Sequence, residues 1–330
     1  MARYHRIRDL PEEEGEPCNK WLCGQARPVI EGEPTEEQDG DYACDYDNWK
    51  RSLGQNLHTA YNKGPRETIR IMLEQKRYNR LLAIGDIHGH LDALKTLLDK
   101  VQPTTEDKVI FLGDYVDRGP DSQGVLDELL WFNECFPQTV FIRGNHDQMF
   151  MDALTWEDIC RLRDRKDVSS SAWEKAYDEL KSRADYFLMK PIELERAWWQ
   201  EGGRATSASF DDSLDNVRPA HRALLGQTKL FQEEWFAPDE DKSWEGEGFL
   251  FVHAGVDVKQ PPQHQHPLAL MNSRDFPEPG DDALWTVVHG HTVNLDGPEM
   301  MPKRINLDTG SYVKGGKLTC CDVLTRQVWQ

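Results

Sequence analysis

The chain has 330 residues, 38% hydrophobic and 29% charged, and a formal net charge of −19. That size suits one large α/β domain, or one domain with an appendage, around a substantial core. A surface this acidic repels phosphate backbones and anionic lipids, which argues against nucleic acid or a membrane as a bulk partner. It still admits a small phosphate ester to a locally positive pocket, because bound metal ions can reverse the field there.

The first 79 residues read as an acidic, partly irregular extension. Glu12 to Glu16 and Glu31 to Asp41 are acidic, with Gly and Pro interspersed and no hydrophobic period. Arg66 to Arg80 can form a helix leading into the core. Met1 to Leu10 hold no apolar segment of the kind that directs secretion, and no run in the chain approaches a membrane span. The seven cysteines are odd in number and form no CxxC pair. Reduced thiols and a cytoplasmic setting are therefore expected.

The pattern changes at Arg80, where the main domain, 80–330, is expected to begin. Leu81-Leu82-Ala83-Ile84 reads as a buried strand, and it runs into Gly85-Asp86-Ile87-His88-Gly89. Leu91, Leu94, Leu97 and Leu98 mark one face of a helix. Val109 to Leu112 is the next strand, followed by Gly113-Asp114-Tyr115-Val116-Asp117-Arg118-Gly119. A helix from Ser122 to about Cys135 comes next. Thr139 to Ile142 leads into Arg143-Gly144-Asn145-His146-Asp147. Residues 149–236 read as a helical cap or insertion, most clearly Met149 to Lys190. Phe249 to Val252 leads into His253-Ala254-Gly255, and Leu284 to Val288 into His289-Gly290-His291-Thr292. Ile305 to Leu307 leads into Asp308-Thr309-Gly310, and Lys317 to Leu324 closes the chain as a strand. Strands alternating with helices predict α/β architecture.

Besides the strand before Asp308, five of these strands end in a turn that carries Asp, Asn or His. In open α/β sheets the carboxyl ends of strands share one edge, where ligands bind. The turns therefore gather Asp86, His88, Asp114, Asn145, His253 and His291 into one place. Six polar groups at strand ends are costly to bury unless something satisfies them. The set offers oxygen and imidazole but no thiolate, which suits Mn, Fe or Zn. It is too large for one metal and right for two divalent ions that share a carboxylate. Such a pair clamps the oxygens of an in-line displacement at phosphorus.

The first three turns resemble, in order and spacing, the signature motifs of the phosphoprotein phosphatase family of calcineurin-like metallophosphoesterases. The His253, His291 and Asp308 segments resemble the later motifs of its bacterial and phage branch. The resemblance spans about residues 80 to 326. It implies a four-layer αββα sandwich and a dinuclear site, with Mn the first choice of metal. Asp86 and His88 would hold one ion, Asp114 would bridge, and Asn145, His253 and His291 would complete the second. A metal-bridging hydroxide would attack phosphorus. His146 would protonate the leaving alkoxide, with Asp117 orienting its ring. Arg118 and Arg274 would grip the phosphate by forked hydrogen bonds, and Asn145 would also face it. The family's eukaryotic members carry Glu where this chain has Asp147.

Simpler roles fit several neighbours. His289 suits a partner behind the ligands, His90 a helix start, and His264 and His266 an exposed loop. The Trp198-Trp199 pair reads as core. Asp308 fits either a partner of the ligands or a turn former, and the former is expected. The function that follows is phosphomonoester hydrolysis, acting on phosphoserine or phosphothreonine in proteins or on a small phosphoester. The alternative is symmetrical dinucleoside tetraphosphate hydrolysis, whose relatives typically lack the Asp matching Asp117. A non-catalytic binding protein on the same scaffold is disfavoured by the intact ligand set.

Overall fold

The computed structural model describes residues 78–330 apart from 166–168, 170, 188, 237–246, 259, 275–278, 281–282 and 284. The acidic extension, the expected helix up to residue 77, and Cys18, Cys23 and Cys44 lie outside the described residues.

Two five-stranded sheets form the frame. In chain order, β1 (Leu81–Ile84) is followed by α1 (Leu91–Val101), β2 (Lys108–Phe111), α2 (Ser122–Cys135) and β3 (Val140–Phe141). These three strands are parallel, with Ala83 opposite Ile110 and Ile110 opposite Val140. The cap follows as α3 (Asn145–Arg163), α4 (Ser171–Tyr186), α5 (Pro191–Trp198), a kinked turn (Trp199–Gly203), α6 (Arg204–Ser209) and α7 (Pro219–Gly226). The second sheet holds β4 (Phe231–Phe236), β5 (Glu247–Val252), β6 (Trp285–His289), β7 (Glu299–Met300) and β8 (Arg304–Asn306), with α8 (Pro267–Asn272) between β5 and β6. Strands β5, β6 and β8 are parallel, and β4 and β7 flank them antiparallel. The chain ends in β9 (Cys320–Asp322) and β10 (Gln327–Trp329), an antiparallel pair that extends the first sheet beside β1.

Strand alternation explains the layering. Leu81 and Ala83 point the same way as Ile110, Leu112, Val140 and Ile142. They pack with Phe249, Phe251, Val288, Ile305 and Leu307 of the second sheet in one buried cluster. The residues between them face outward: Leu250, Val252 and Val287 pack with Leu270 of α8. Each fully buried side chain of this kind contributes about 1.5–3 kcal/mol. The result is the mixed α/β arrangement of two sheets and covering helices that the sequence predicts.

Helix α2 has the expected limits, and the Asp121 side chain caps it by accepting the Gly124 N–H at 2.7 Å. In α1 the buried face is Leu94, Leu97, Leu98 and Val101, and His90 is the cap residue. Two boundaries differ from expectation. The helical run ends with α7, and Phe231–Phe236 is instead a sheet strand. Phe231 and Trp235 are four apart, a spacing that fits a helix face and one side of a strand equally. The closing strand is only Cys320–Asp322, and it turns into β10, which the sequence reading lacks. No described helix is long and apolar enough to cross a membrane. Among the described residues Cys160, Cys320 and Cys321 are free thiols.

Candidate active site

The carboxyl ends of both parallel strand sets meet at one edge. His253, just after β5, places Nδ1 2.8 Å from the Leu112 carbonyl oxygen, just after β2. Gly290 N–H donates to the His253 carbonyl at 2.8 Å, which ties β6 to β5 at the same level. Among the described residues nine non-glycine positions have positive φ, and five of them are here: His88 (48°), Asp114 (52°), Asp117 (73°), Arg118 (69°) and His291 (66°). Such conformations cost on the order of 1–3 kcal/mol each and persist where the surroundings hold them, typically at functional sites.

Asp114 lies at the centre. It is 2% exposed, and its Oδ1 accepts the His146 backbone N–H at 2.9 Å. Its Oδ2 is 3.4 Å from His88 Nε2 and 3.4 Å from His253 Nε2. His88 Nδ1 lies 3.0 Å from the Val116 carbonyl, so its Nε2 turns inward. The same holds for His253, whose Nε2 also lies 3.0 Å from Asn145 Oδ1. Asp86 accepts the His291 backbone N–H at 3.3 and 3.1 Å. Gly290 is required there, because a Cβ would run into Asp86 Oδ1.

The electrostatics reflect crowded buried carboxylates. Burial, Asp308 and Asp114 together push Asp86 well above the usual carboxylate range, with His253 opposing. Burial alone would lower His253 and raise Asp114, but their mutual attraction reverses both. His253 is raised to about 10 and Asp114 is held well below its ordinary value. Burial and His253 lower His291 to about 3.

These residues fit divalent cations. The buried His291 Nε2 has no hydrogen-bond partner. Ligand atoms of His88, Asp114 and His146 lie within 4.8 Å of one another, and so do those of Asp114, His253 and His291. The two groups share Asp114, the residue expected to bridge. The donors are oxygen and imidazole, suited to Mn, Fe or Zn. His146 is close enough to be a ligand, but both its ring nitrogens are engaged. Nδ1 lies 2.8 Å from Asp117 Oδ2, and Arg118 Nη2 donates to Nε2 at 2.8 Å.

A cavity of about 290 Å³ opens on this centre. His88, Asp114, Asn145, His146, His291, Arg118 and Arg274 all line it, so every expected residue except Asp86, His253 and Asp117 faces the cavity directly. Those three lie behind it in contact with residues that do. Burial would lower His146, but Asp114 and the hydrogen bond to Asp117 outweigh it and the ring is raised. Asp117 is fully buried, and burial raises it while His146, Thr206 and Trp198 pull it down.

Other residues of the site carry no recognisable motif. Tyr312 lies under Arg118, with the guanidinium carbon 4.1 Å from the ring centre, and edge-on to His88 at 4.7 Å. Glu201 lines the cavity from the kinked turn between α5 and α6. Trp198 is indeed buried core, yet its Nε1 also donates to Asp117 Oδ1 at 2.9 Å. Asp308 is a turn former, accepting the Gly310 N–H at 3.0 Å, and it is also close enough to raise Asp86. His289 is buried, with Nδ1 2.9 Å from the Gly290 carbonyl, and does not line the cavity. His264 and His266 are exposed, as expected.

Residues 79–325 match the calcineurin-like phosphoesterase family. The chain is 29% identical over 180 residues to the serine/threonine-protein phosphatase 4 catalytic subunit of Eremothecium gossypii, covering 52% of this chain and 55% of that one. It thus spans about half the length of that relative. Among solved structures it is similar to a candidate diadenosine tetraphosphatase, with TM-score 0.46, 20% identity, and 77% of this chain and 95% of that one covered. It is also similar to a protein serine/threonine phosphatase from Saccharomyces cerevisiae, with TM-score 0.40, 12% identity, and 83% and 89% covered. The family match takes in every strand of the two sheets except β10, together with the residues gathered at their shared edge, and the chain belongs to the calcineurin-like phosphoesterases, a family of hydrolases.

Proposed function

We propose that the chain is a dinuclear, metal-dependent phosphomonoesterase that acts on phosphoserine and phosphothreonine in proteins. The observation that carries this reading is the Asp117–His146 pair, 2.8 Å apart and buried beside Asp114. A buried carboxylate that orients an imidazole at the edge of a ligand cluster suits proton delivery to a strongly basic leaving group. An alkoxide from serine or threonine is such a group.

The residues divide by position. Asp86, His88 and Asp114 would hold one divalent ion, and Asp114, Asn145, His253 and His291 the other, with Mn the first choice and Fe or Zn alternatives. The ions would supply an activated water and neutralise charge on the phosphate. Arg118 and Arg274 line the same cavity and offer planar donors to phosphate oxygens. In the free protein Arg118 donates to His146 Nε2, which keeps that nitrogen an acceptor. A phosphate that draws the guanidinium to itself frees Nε2 to carry the proton. The free thiols of Cys160, Cys320 and Cys321 fit a reducing compartment, the cytoplasm.

The test is phosphate release from p-nitrophenyl phosphate and from a phosphothreonine peptide, with and without Mn, on wild type and Asp114→Asn. Release from both, dependent on metal and lost in the variant, is the expected result. Release from the small ester alone, with faster turnover of a dinucleoside tetraphosphate, would replace the protein substrate with a nucleotide. No release with any divalent metal would end the proposal.

A further inference from the structure

We infer that the helical cap is part of the catalytic device, with Trp198 and Thr206 as positioning residues that fix Asp117 and, through it, His146. The inference rests on the phosphatase reading above and goes beyond it, since it assigns a role to an insertion that could be mere decoration.

Asp117 uses Oδ2 for His146, so its orientation depends on what holds Oδ1. Two cap side chains do so: Trp198 Nε1 at 2.9 Å and Thr206 Oγ1 at 2.7 Å. Thr206 Oγ1 also accepts the Asp117 backbone N–H at 2.8 Å and lies 2.9 Å from Ser122 Oγ. One hydroxyl therefore grips both the backbone and the carboxylate of Asp117. The next residue is held from the same side, because Arg118 N–H donates to the Gly202 carbonyl at 3.3 Å. Asp117 and Arg118 are consecutive left-handed residues, a conformation that external contacts must maintain.

The cap segment is built for close approach. Gly202, at φ 118°, lies against the Arg118 side chain and backbone, and Gly203 lies against the Trp198 indole. The turn between α5 and α6, Trp199–Gly203, kinks at Gly202, whose backbone is not helical. Trp198 is fixed in turn by stacking on Phe150 at 5.4 Å. Fastening the cap to the sheet would need only apolar packing. Spending an indole N–H and a threonine hydroxyl on one fully buried carboxylate oxygen fixes that oxygen's direction as well.

The readout is the dependence of kcat on the leaving group. The p-nitrophenolate ion is a weak base and departs without a proton, whereas an alkoxide needs one. Thr206→Val keeps the volume and removes the hydroxyl. Its kcat is expected to fall about ten-fold further on a phosphothreonine peptide than on p-nitrophenyl phosphate, with KM little changed, as a general-acid defect requires. Thr206→Ser should recover the peptide rate. Trp198→Phe, which keeps an aromatic ring without its N–H, should shift the same ratio, and it carries the comparison if Thr206→Val does not fold. Equal losses on both substrates, or no loss, in folded variants would overturn the inference and leave the phosphatase reading standing. A wild-type protein that releases no phosphate from either ester would overturn both.

Discussion

Asp147 stands directly behind Asp114: its Oδ2 accepts the Asp114 backbone N–H at 2.8 Å and the Gly144 N–H at 2.9 Å. Its Oδ1 accepts the Tyr115 N–H at 2.9 Å. One buried carboxylate thus satisfies three backbone donors in two motif turns and fixes the left-handed backbone of Asp114. Asp147→Asn keeps one acceptor oxygen and turns an NH₂ group toward a donor. We expect it to lower stability by about 2–3 kcal/mol in chemical denaturation, the cost of unsatisfied buried donors. A change below about half that would mean the N–H groups find other partners.

Gly290→Ala tests the packing at Asp86. The added methyl must displace the Asp86 carboxylate, which the His291 N–H otherwise holds. A misplacement of about 1 Å at a reacting centre costs about 100-fold in rate. Metal-dependent release of p-nitrophenol should fall by about that much. Unchanged turnover in the variant would remove Asp86 from the ligand set.

Arg118→Lys separates charge from shape. Lysine keeps the positive charge but loses the planar fork and the stacking on Tyr312. Steady-state kinetics should show kcat/KM lower by about 100-fold, as for removal of a positioned donor to a developing charge. A lysine variant near wild type would mean that charge alone serves.

Bound metal should stabilise the fold. At about 100 times its dissociation constant, a ligand specific to the native state adds about 2.7 kcal/mol. Thermal unfolding with Mn and with a chelator should therefore differ clearly for wild type and little for Asp114→Asn. Equal shifts in both proteins would place the metal elsewhere.

Stability at low pH depends in part on Asp107, far from the site. Burial would raise its pKa, but hydrogen bonds from Arg80 at 3.1 and 2.6 Å and from the Thr104 N–H at 2.7 Å hold it below the ordinary value. A carboxylate with a depressed folded pKa stabilises above its unfolded value, near 3.9, and that contribution is lost as pH falls through the folded value. Asp107→Asn should cost about 1–2 kcal/mol at pH 7. The gap to wild type should narrow as pH falls below the ordinary carboxylate value, near 3.9, and through the depressed folded value. A constant gap across pH would show that the carboxylate's charge is not involved.

The site was legible where chemistry follows a strand directly. Asp86, Asp114, Asn145, His253 and His291 each sit within a few residues of a buried strand end, so local pattern and sheet topology together brought them to one edge. The cap's far boundary was not legible, because Phe231 and Trp235 satisfy both helical and extended spacing until β5 is there to pair with. The hairpin to β10 leaves no mark, because a three-residue strand whose side chains are exposed or half-buried has no hydrophobic signature.

The sequence by itself determined the types of the candidate metal-holding residues, their order along the chain and the strand–turn frame, because these depend on residues next to one another. Tertiary structure alone decided which side chains stand behind and around them. Trp198 and Thr206 reach Asp117 across 81 and 89 residues, and Tyr312 reaches under Arg118 from the far end of the fold. A hydrogen bond between distant residues leaves no periodic trace in the sequence. Its partners are set by how helices and sheets pack, so the cap's part in the site becomes visible only once the chain is folded.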